Sequence, residues 1–275
     1  MSSLPEAILL GVVQGLTEFL PVSSTGHLVV TEKLLGVSEE EFGLGFDAAM
    51  HLGTLVAVLA YFRVEVASLA GAWVRSLGVR RWDATSQSRL AWMILLATLP
   101  AGIAGVLVEG IAEDSLRSVG LVGLMLIIFS LPMFLAERNF KGNRLATELR
   151  SLDALLIGLA QVAALMPGVS RSGITISAGM MRGLTRRDAA AFTFLISTPI
   201  IAAAGGKQIL DLIVEGGGSS GNNSLLLYPA GLISAGVVGY AAIALIMRYL
   251  QFNSLNVFVV YRVILGLFLI AVWAA

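Results

Sequence analysis

Between two apolar runs, Ala7 to Val13 and Leu28 to Val30, the chain reads Gln14-Gly15-Leu16-Thr17-Glu18-Phe19-Leu20-Pro21-Val22-Ser23-Ser24-Thr25-Gly26-His27. A carboxylate, an amide, hydroxyls and an imidazole thus interrupt sequence otherwise suited to lipid. Such groups are costly at membrane depth and persist mainly where they line a site or a pathway. Pro21 lacks an amide hydrogen and ends the helix before it. The hydroxyl and glycine cluster that follows suits a turn and the cap of a second helix. The stretch predicts a re-entrant hairpin, which a membrane tolerates only where its backbone is buried in protein or faces a water-filled cavity.

A second stretch repeats the first. Gly158, Gln161, Ser170, Ser172 and Gly173 stand at one constant offset from Gly11, Gln14, Ser23, Thr25 and Gly26. Its loop runs Met166-Pro167-Gly168-Val169-Ser170-Arg171-Ser172-Gly173-Ile174-Thr175, with arginine in the register of Ser24 and no counterpart of Glu18 or His27. One copy supplies acid and imidazole, the other guanidinium, as if each held half of one site.

The surrounding chain sets the class. It is 57% hydrophobic and 13% charged, with a mean hydropathy of +0.86, whereas soluble domains carry about 25% charged residues. A polytopic membrane protein is expected. A net charge of +0 lacks the basic stripe of a nucleic-acid binder, and the absence of cysteine removes disulfides and thiolate metal sites. The first apolar run, with no basic leader before it, is expected to belong to the fold.

In order, the first hairpin is followed by a short acidic connection, Glu32 to Gly45, and an apolar segment, Phe46 to Phe62, with Asp47 and His51 near its start. Arg63 to Arg89 reads as a polar connection. Leu90–Val108 and Val119–Ala136 match the roughly 20 residues of a bilayer span, with an acidic turn, Glu109 to Arg117, between them. The second hairpin covers Ala154 to Met181, and spans follow at Ala189–Ala204, Leu225–Met247 and Leu255–Ala274, with a Gly, Ser and Asn-rich loop, Gly216 to Asn223, among them. Each hairpin thus precedes three spans. The expected fold is all-α: one membrane domain over 1–275, in which repeat one (1–150) and repeat two (151–275) are inverted around a midplane site. The positive-inside rule agrees, since with Arg63–Arg89 cytoplasmic, Glu137–Asp153, Arg182–Arg187 and Arg248 fall on the same side. The first hairpin then opens toward the outer face and the second enters from inside.

The two loops together suit a phosphate. Arg171 offers a planar fork of donors, Ser170, Ser172 and Thr175 add hydroxyls, and a helix starting near Ser172 points free amides at the same place. Ser23 and Thr25 extend the hydroxyl set. Glu18 would repel the anion unless it holds a cation, and magnesium, bound by a carboxylate and substrate oxygens, resolves the conflict, with calcium as the alternative ion. Gln14, one turn earlier, adds a neutral ligand. Ser24 and His27, three apart at a helix start, are the nucleophile and base expected of phosphoester chemistry, and direct attack by His27 is the rival. Asp47 and His51 read equally as pocket supports or as a helix start. Arg262, inside the last span, reads as snorkelling or paired with a carboxylate, and the loop arginines as topology determinants.

Gly15-Leu16-Thr17-Glu18-Phe19-Leu20-Pro21-Val22-Ser23-Ser24-Thr25-Gly26-His27, with the later Pro167-Gly168-x-Ser170-Arg171-Ser172-Gly173-x-Thr175, resembles the undecaprenyl-diphosphatase (bacitracin-resistance) family over essentially the whole chain. The resemblance implies a multi-pass cell-membrane enzyme that hydrolyses undecaprenyl diphosphate to undecaprenyl phosphate and inorganic phosphate, recycling the lipid carrier of cell-wall synthesis. It implies a divalent-metal requirement, with functional positions at Glu18, Ser24, His27 and Arg171. Many members carry glutamate where this chain has Gln14, so a two-carboxylate metal site is not expected. The partners implied are a polyprenyl diphosphate lipid and the bilayer; a homodimer is left open. The competing class is a transporter that flips polyprenyl phosphate, since inverted repeats with broken helices serve carriers equally. A carrier, however, has no use for a nucleophile beside a base.

Overall fold

The structure, a computed structural model, describes residues 3–37, 39–108, 118–214 and 224–274. The expected turn 109–117 and the glycine-rich loop, Gly216 to Asn223, lie outside these residues. The first hairpin is α1 (Leu4–Phe19) and α2 (Ser24–Leu35), followed by α3 (Glu39–Tyr61), α4 (Arg63–Val79), α5 (Ser86–Val108), α6 (Val119–Ile128) and α7 (Ser130–Arg138). The second hairpin is α8 (Ser151–Val162) and α9 (Arg171–Met181), followed by α10 (Arg186–Val214), α11 (Ser224–Tyr249) and α12 (Asn256–Ala274). Five stretches are long and apolar enough to span a bilayer: Ser86–Val108, Val119–Arg138, Arg186–Lys207, Leu226–Tyr249 and Asn256–Ala274. The chain is an all-α polytopic membrane protein.

Local chemistry sets the hairpin ends. The Glu6 carboxylate accepts the Ser3 amide at 2.7 Å, capping α1 ahead of its first turn. Gly36, in the left-handed region at φ 65°, closes α2. The short acidic connection is mostly helical, since α2 runs to Leu35 and α3 starts at Glu39.

Two expectations need correction. Arg63–Arg89 is not simply a polar connection: α4 occupies its first part, bent by 82° from α3, and the bent pair is apolar enough to count as a sixth span only when taken together. Its charges hide the helical repeat. Val66, Leu69, Ala70 and Trp73 recur at turn spacing and face Ala91, Ile94 and Leu195 across a shallow apolar groove. The stretch Val119–Arg138 also breaks at Phe129, where the Ser130 hydroxyl donates back to the Leu126 carbonyl at 2.7 Å.

The two halves exchange their hairpins. Helix α1 packs along α11, and α8 packs along α5. Each contact needs a glycine at the matching position. A Cβ on Gly11 would lie 2.6 Å from the Gly231 carbonyl oxygen, and one on Gly158 would lie 2.4 Å from that of Ala97. Phe19, at the end of α1, meets Phe194 of α10 edge-on at 5.5 Å, fixing where the first hairpin breaks.

The loop arginines do more than set topology. Buried Asp153, at the start of α8, accepts Arg144 at 2.9 Å and Arg182 at 2.7 Å. Burial alone would raise its carboxyl, but bonds from the Arg150 amide and these two guanidinium groups hold it below the usual range. Arg186 pairs with Glu137 and lies over the Phe140 ring at 3.9 Å. The connection between the halves is thereby stapled to the end of the second hairpin.

Candidate active site

Glu18 sits in the last turn of α1, 8% exposed, and three side chains converge on it. Gln14 Nε2 donates to Oε2 at 3.2 Å from one turn back, and Ser24 Oγ donates to the same oxygen at 2.8 Å from across the break. Arg171, from the second hairpin, donates to Oε1 at 2.7 Å. Acid, hydroxyl and guanidinium from the two copies therefore do meet.

The loops share one backbone shape. Ser23 has φ 76° and ψ 104°, and Ser170 has φ 67° and ψ 106°, a region costing a non-glycine residue about 1–3 kcal/mol. Each hydroxyl accepts a backbone amide three residues on, from Gly26 at 3.4 Å and from Gly173 at 3.2 Å. Each turn thus starts a helix whose first amides aim at the space between the loops. Ser172 ties the copies together, donating to the Leu20 carbonyl at 3.0 Å. Gly168, at φ 92°, lets the second loop approach α6, where a Cβ would fall 2.7 Å from the Val122 carbonyl oxygen.

Between the loops lies a polar pocket of about 70 Å³, of phosphate size. Thr17, Glu18, Ser23, Ser24, Thr25, Ser170 and Arg171 line it, with His51. Of the sequence-derived set, Gln14, Ser172 and Thr175 stand behind it. Thr175 donates to the Arg171 carbonyl at 2.7 Å, supporting the backbone that carries the arginine. Gln14 is fully buried, and its Oε1 has no hydrogen-bond partner among the described residues.

The expected Ser24–His27 pair is not formed. His27 Nδ1 lies 2.7 Å from the Ser23 carbonyl, which can only accept, so Nδ1 carries the proton. Nε2 then accepts from the Tyr261 hydroxyl at 2.6 Å, and the two rings stack at 5.7 Å. Both nitrogens are already engaged, and His27 itself is not among the residues lining the pocket. Ser24 has Glu18 beside it instead. The imidazole that does line the pocket belongs to His51, whose Nδ1 is held 2.9 Å from the Asp47 carbonyl.

Tyr261 carries no signal in the sequence, because an aromatic residue in an apolar span is ordinary. Arg262 does not snorkel, and among the described residues it meets no carboxylate. It is 0% exposed and bonds the Ser130 hydroxyl at 3.2 Å and the carbonyls of Leu126, Gly168 and Val169 at 3.3, 3.1 and 3.1 Å.

The family model for bacitracin resistance protein BacA matches residues 7–268, which takes in both loops and the first two-thirds of the last helix, Tyr261 and Arg262 included. The chain belongs to the BacA family. Its similarity to curated members runs end to end. It is 44% identical to the undecaprenyl-diphosphatase of Rubrobacter xylanophilus over 95% of both chains, and 43% identical to that of Desulforudis audaxviator over 97% of both. It is 42% identical to the undecaprenyl-diphosphatase of Nitrosococcus oceani over 94% of both. In this BacA chain the pocket between the hairpins is the place where the repeated motifs converge.

Proposed function

We propose that this protein hydrolyses undecaprenyl diphosphate to undecaprenyl phosphate and inorganic phosphate at the pocket between its two hairpins, and so returns the lipid carrier to cell-wall synthesis. The observation that carries this reading is the row Ser24–Glu18–Arg171: a hydroxyl on a carboxylate, itself paired to a guanidinium, beneath two helix N-termini. A phosphate entering this space competes with Glu18 for Arg171, whose fork suits phosphate oxygens at least as well. As the guanidinium turns to the substrate, Glu18 loses its neutralising partner and becomes a stronger base toward Ser24. Substrate binding thus activates the nucleophile.

Ser24 Oγ attacks the terminal phosphorus, its proton passes to Glu18, and the bond to the bridging oxygen breaks, releasing the prenyl phosphate. Water then attacks the phosphoserine, inorganic phosphate leaves, and Glu18 returns the proton to Ser24. Arg171, the loop hydroxyls and the amides of α2 and α9 stabilise the transferring phosphoryl group; catalysis is mainly positioning and charge stabilisation. His51 is the imidazole placed to exchange protons with the pocket, and His27 supports the loop.

No three His, Cys, Asp or Glu side chains form a metal-binding group among the described residues. A divalent ion would fit, with substrate oxygens completing its shell, once the Gln14 amide turns over, because its Nε2 now faces the Glu18 carboxylate and its buried Oε1 has no partner among the described residues. Gln14 and Glu18 would hold it, and it would neutralise the diphosphate charge.

The halves 1–150 and 151–275 are read as inverted in the cell membrane, with the pocket open toward the outer face. A cysteine replacing Asn143, in the connection rich in arginine, is then labelled by impermeant reagent only from inside, and labelling from outside contradicts this orientation.

The test of function is phosphate release from a long-chain polyprenyl diphosphate by the purified protein, with and without chelator. Release is expected. Lipid translocation in vesicles with no phosphate released would instead support the transporter reading, in which Arg171 merely grips a headgroup.

A further inference from the structure

Tyr261 and Arg262 are neighbours in α12, yet their side chains reach different loops. Tyr261 donates its hydroxyl to His27 Nε2 at 2.6 Å, and the same imidazole holds the Ser23 carbonyl at 2.7 Å through Nδ1. That carbonyl belongs to the positive-φ residue directly before Ser24. Arg262 holds the carbonyls of Gly168 and Val169, both at 3.1 Å, directly before the positive-φ Ser170 and the functional Arg171. Both strained turns are therefore held by successive residues of one helix, the first at the carbonyl of its positive-φ residue and the second at the two carbonyls just before it. Successive helical residues point about 100° apart, which lets a single segment of α12 reach both turns.

We infer that Tyr261 and Arg262 are positioning residues of the reaction: together they set the separation of Ser24 from Arg171, Tyr261 acting through His27. Backbone strained at two turns holds its shape only where surrounding contacts over-determine it. The direct ties between the hairpins, Ser172 on Leu20 and Arg171 on Glu18, lie on the opposite side of the break from Ser24. Arg262 is fully buried with four oxygen partners, so it cannot relax without releasing the Gly168–Val169 backbone. Tyr261 is 43% exposed, and its hydroxyl is the partner of Nε2 that steadies the ring whose Nδ1 proton the Ser23 carbonyl already fixes. The inference rests on the proposed hydrolysis, but one of its tests does not.

Tyr261→Phe removes one oxygen and keeps the stacked ring. Phosphate release by the full-length protein should fall about ten- to a hundredfold in kcat with KM within a factor of two, because misplaced reacting groups lower the rate of chemistry more than headgroup binding. Arg262→Lys, which keeps charge but loses the fork, should lower kcat similarly. The double variant should lose less than the product of the two losses, since both act on one distance. Tyr249→Phe, a tyrosine remote from the loops, serves as the control. The measurement independent of activity is the ¹⁵N spectrum of histidine-labelled protein, which holds only His27 and His51, assigned with His51→Gln. His27 should show a protonated Nδ1 and a hydrogen-bonded, unprotonated Nε2 in the parent, and in Tyr261→Phe an Nε2 signal moved toward that of a free unprotonated ring nitrogen as its donor is lost. Parental kcat in Tyr261→Phe, or a lowered kcat with the His27 signals unchanged, overturns the inference. An inactive parent with the expected Nε2 signal change would leave the positioning intact and sink the hydrolase reading instead.

Discussion

Ser24→Ala is expected to reduce phosphate release by at least about a thousandfold, because the covalent route then has no attacking atom and only positioning and charge stabilisation remain. Headgroup binding should survive, since Arg171, the loop hydroxyls and two helix N-termini are untouched. Folding should survive as well. The turn is held by the Ser23 hydroxyl on the Gly26 amide and by His27 on the Ser23 carbonyl, neither of which involves Ser24 Oγ. The check is steady-state phosphate release alongside binding of a non-hydrolysable polyprenyl diphosphate analogue. Near-normal turnover in this variant would assign the attack elsewhere.

Glu18→Gln is expected to be nearly as damaging, by about a hundred- to ten-thousandfold in turnover, the range typical of a lost general base. Two effects coincide. The amide cannot take the Ser24 proton, and Arg171 loses the anion that balances it in the empty site. Removing one partner of a buried ion pair typically destabilises by about 3–5 kcal/mol, and the side chains here are only 5% and 22% exposed. A phosphate should restore part of that stability, because it supplies the missing negative charge to Arg171. Thermal unfolding of Glu18→Gln with and without inorganic phosphate measures this. A larger phosphate-induced rise in Tm than in the parent is predicted; an equal or smaller rise would mean that Arg171 does not face the anion site.

The sequence was most legible where chemistry and hydropathy conflict. Glu18 and Arg171 stand in apolar surroundings with no local counter-charge, and the constant offset between the two stretches pointed to their meeting. The matched Gly11 and Gly158 likewise marked the first helix of each hairpin, though not that each packs on the other half. What stayed hidden were relations between distant side chains. His27 looks like the partner of Ser24 because they are three residues apart, yet the left-handed turn at Ser23 draws the ring back onto its own backbone and toward Tyr261. Glu18, six residues before Ser24, becomes its partner only once the chain folds back at Pro21. His51 lies on a separate helix and reaches the pocket through packing alone. The α4 helix was obscured because arginines at its ends outweigh, by composition, the apolar face between them.

Arg262 shows the same limit from the other side. A lone arginine in a span reads as unpaired when only carboxylates are sought, whereas here its Nε and Nη2 are held by the Ser130 hydroxyl and by carbonyl oxygens near the turns at Phe129 and Ser170, while its Nη1 has no partner among the described residues. Sequence can identify such a residue as constrained, but not what it constrains.

If Ser24, with Glu18 as its base, attacks the phosphorus of a lipid diphosphate, a phosphoserine must form during turnover. Rapid acid quench of the protein turning over a polyprenyl diphosphate labelled in its terminal phosphate measures it directly. Acid-stable label on Ser24 is expected, recovered as phosphoserine and absent from Ser24→Ala. Label that is lost in acid but survives base, on His51 or His27, would contradict it, as would full turnover with no trapped phosphoenzyme.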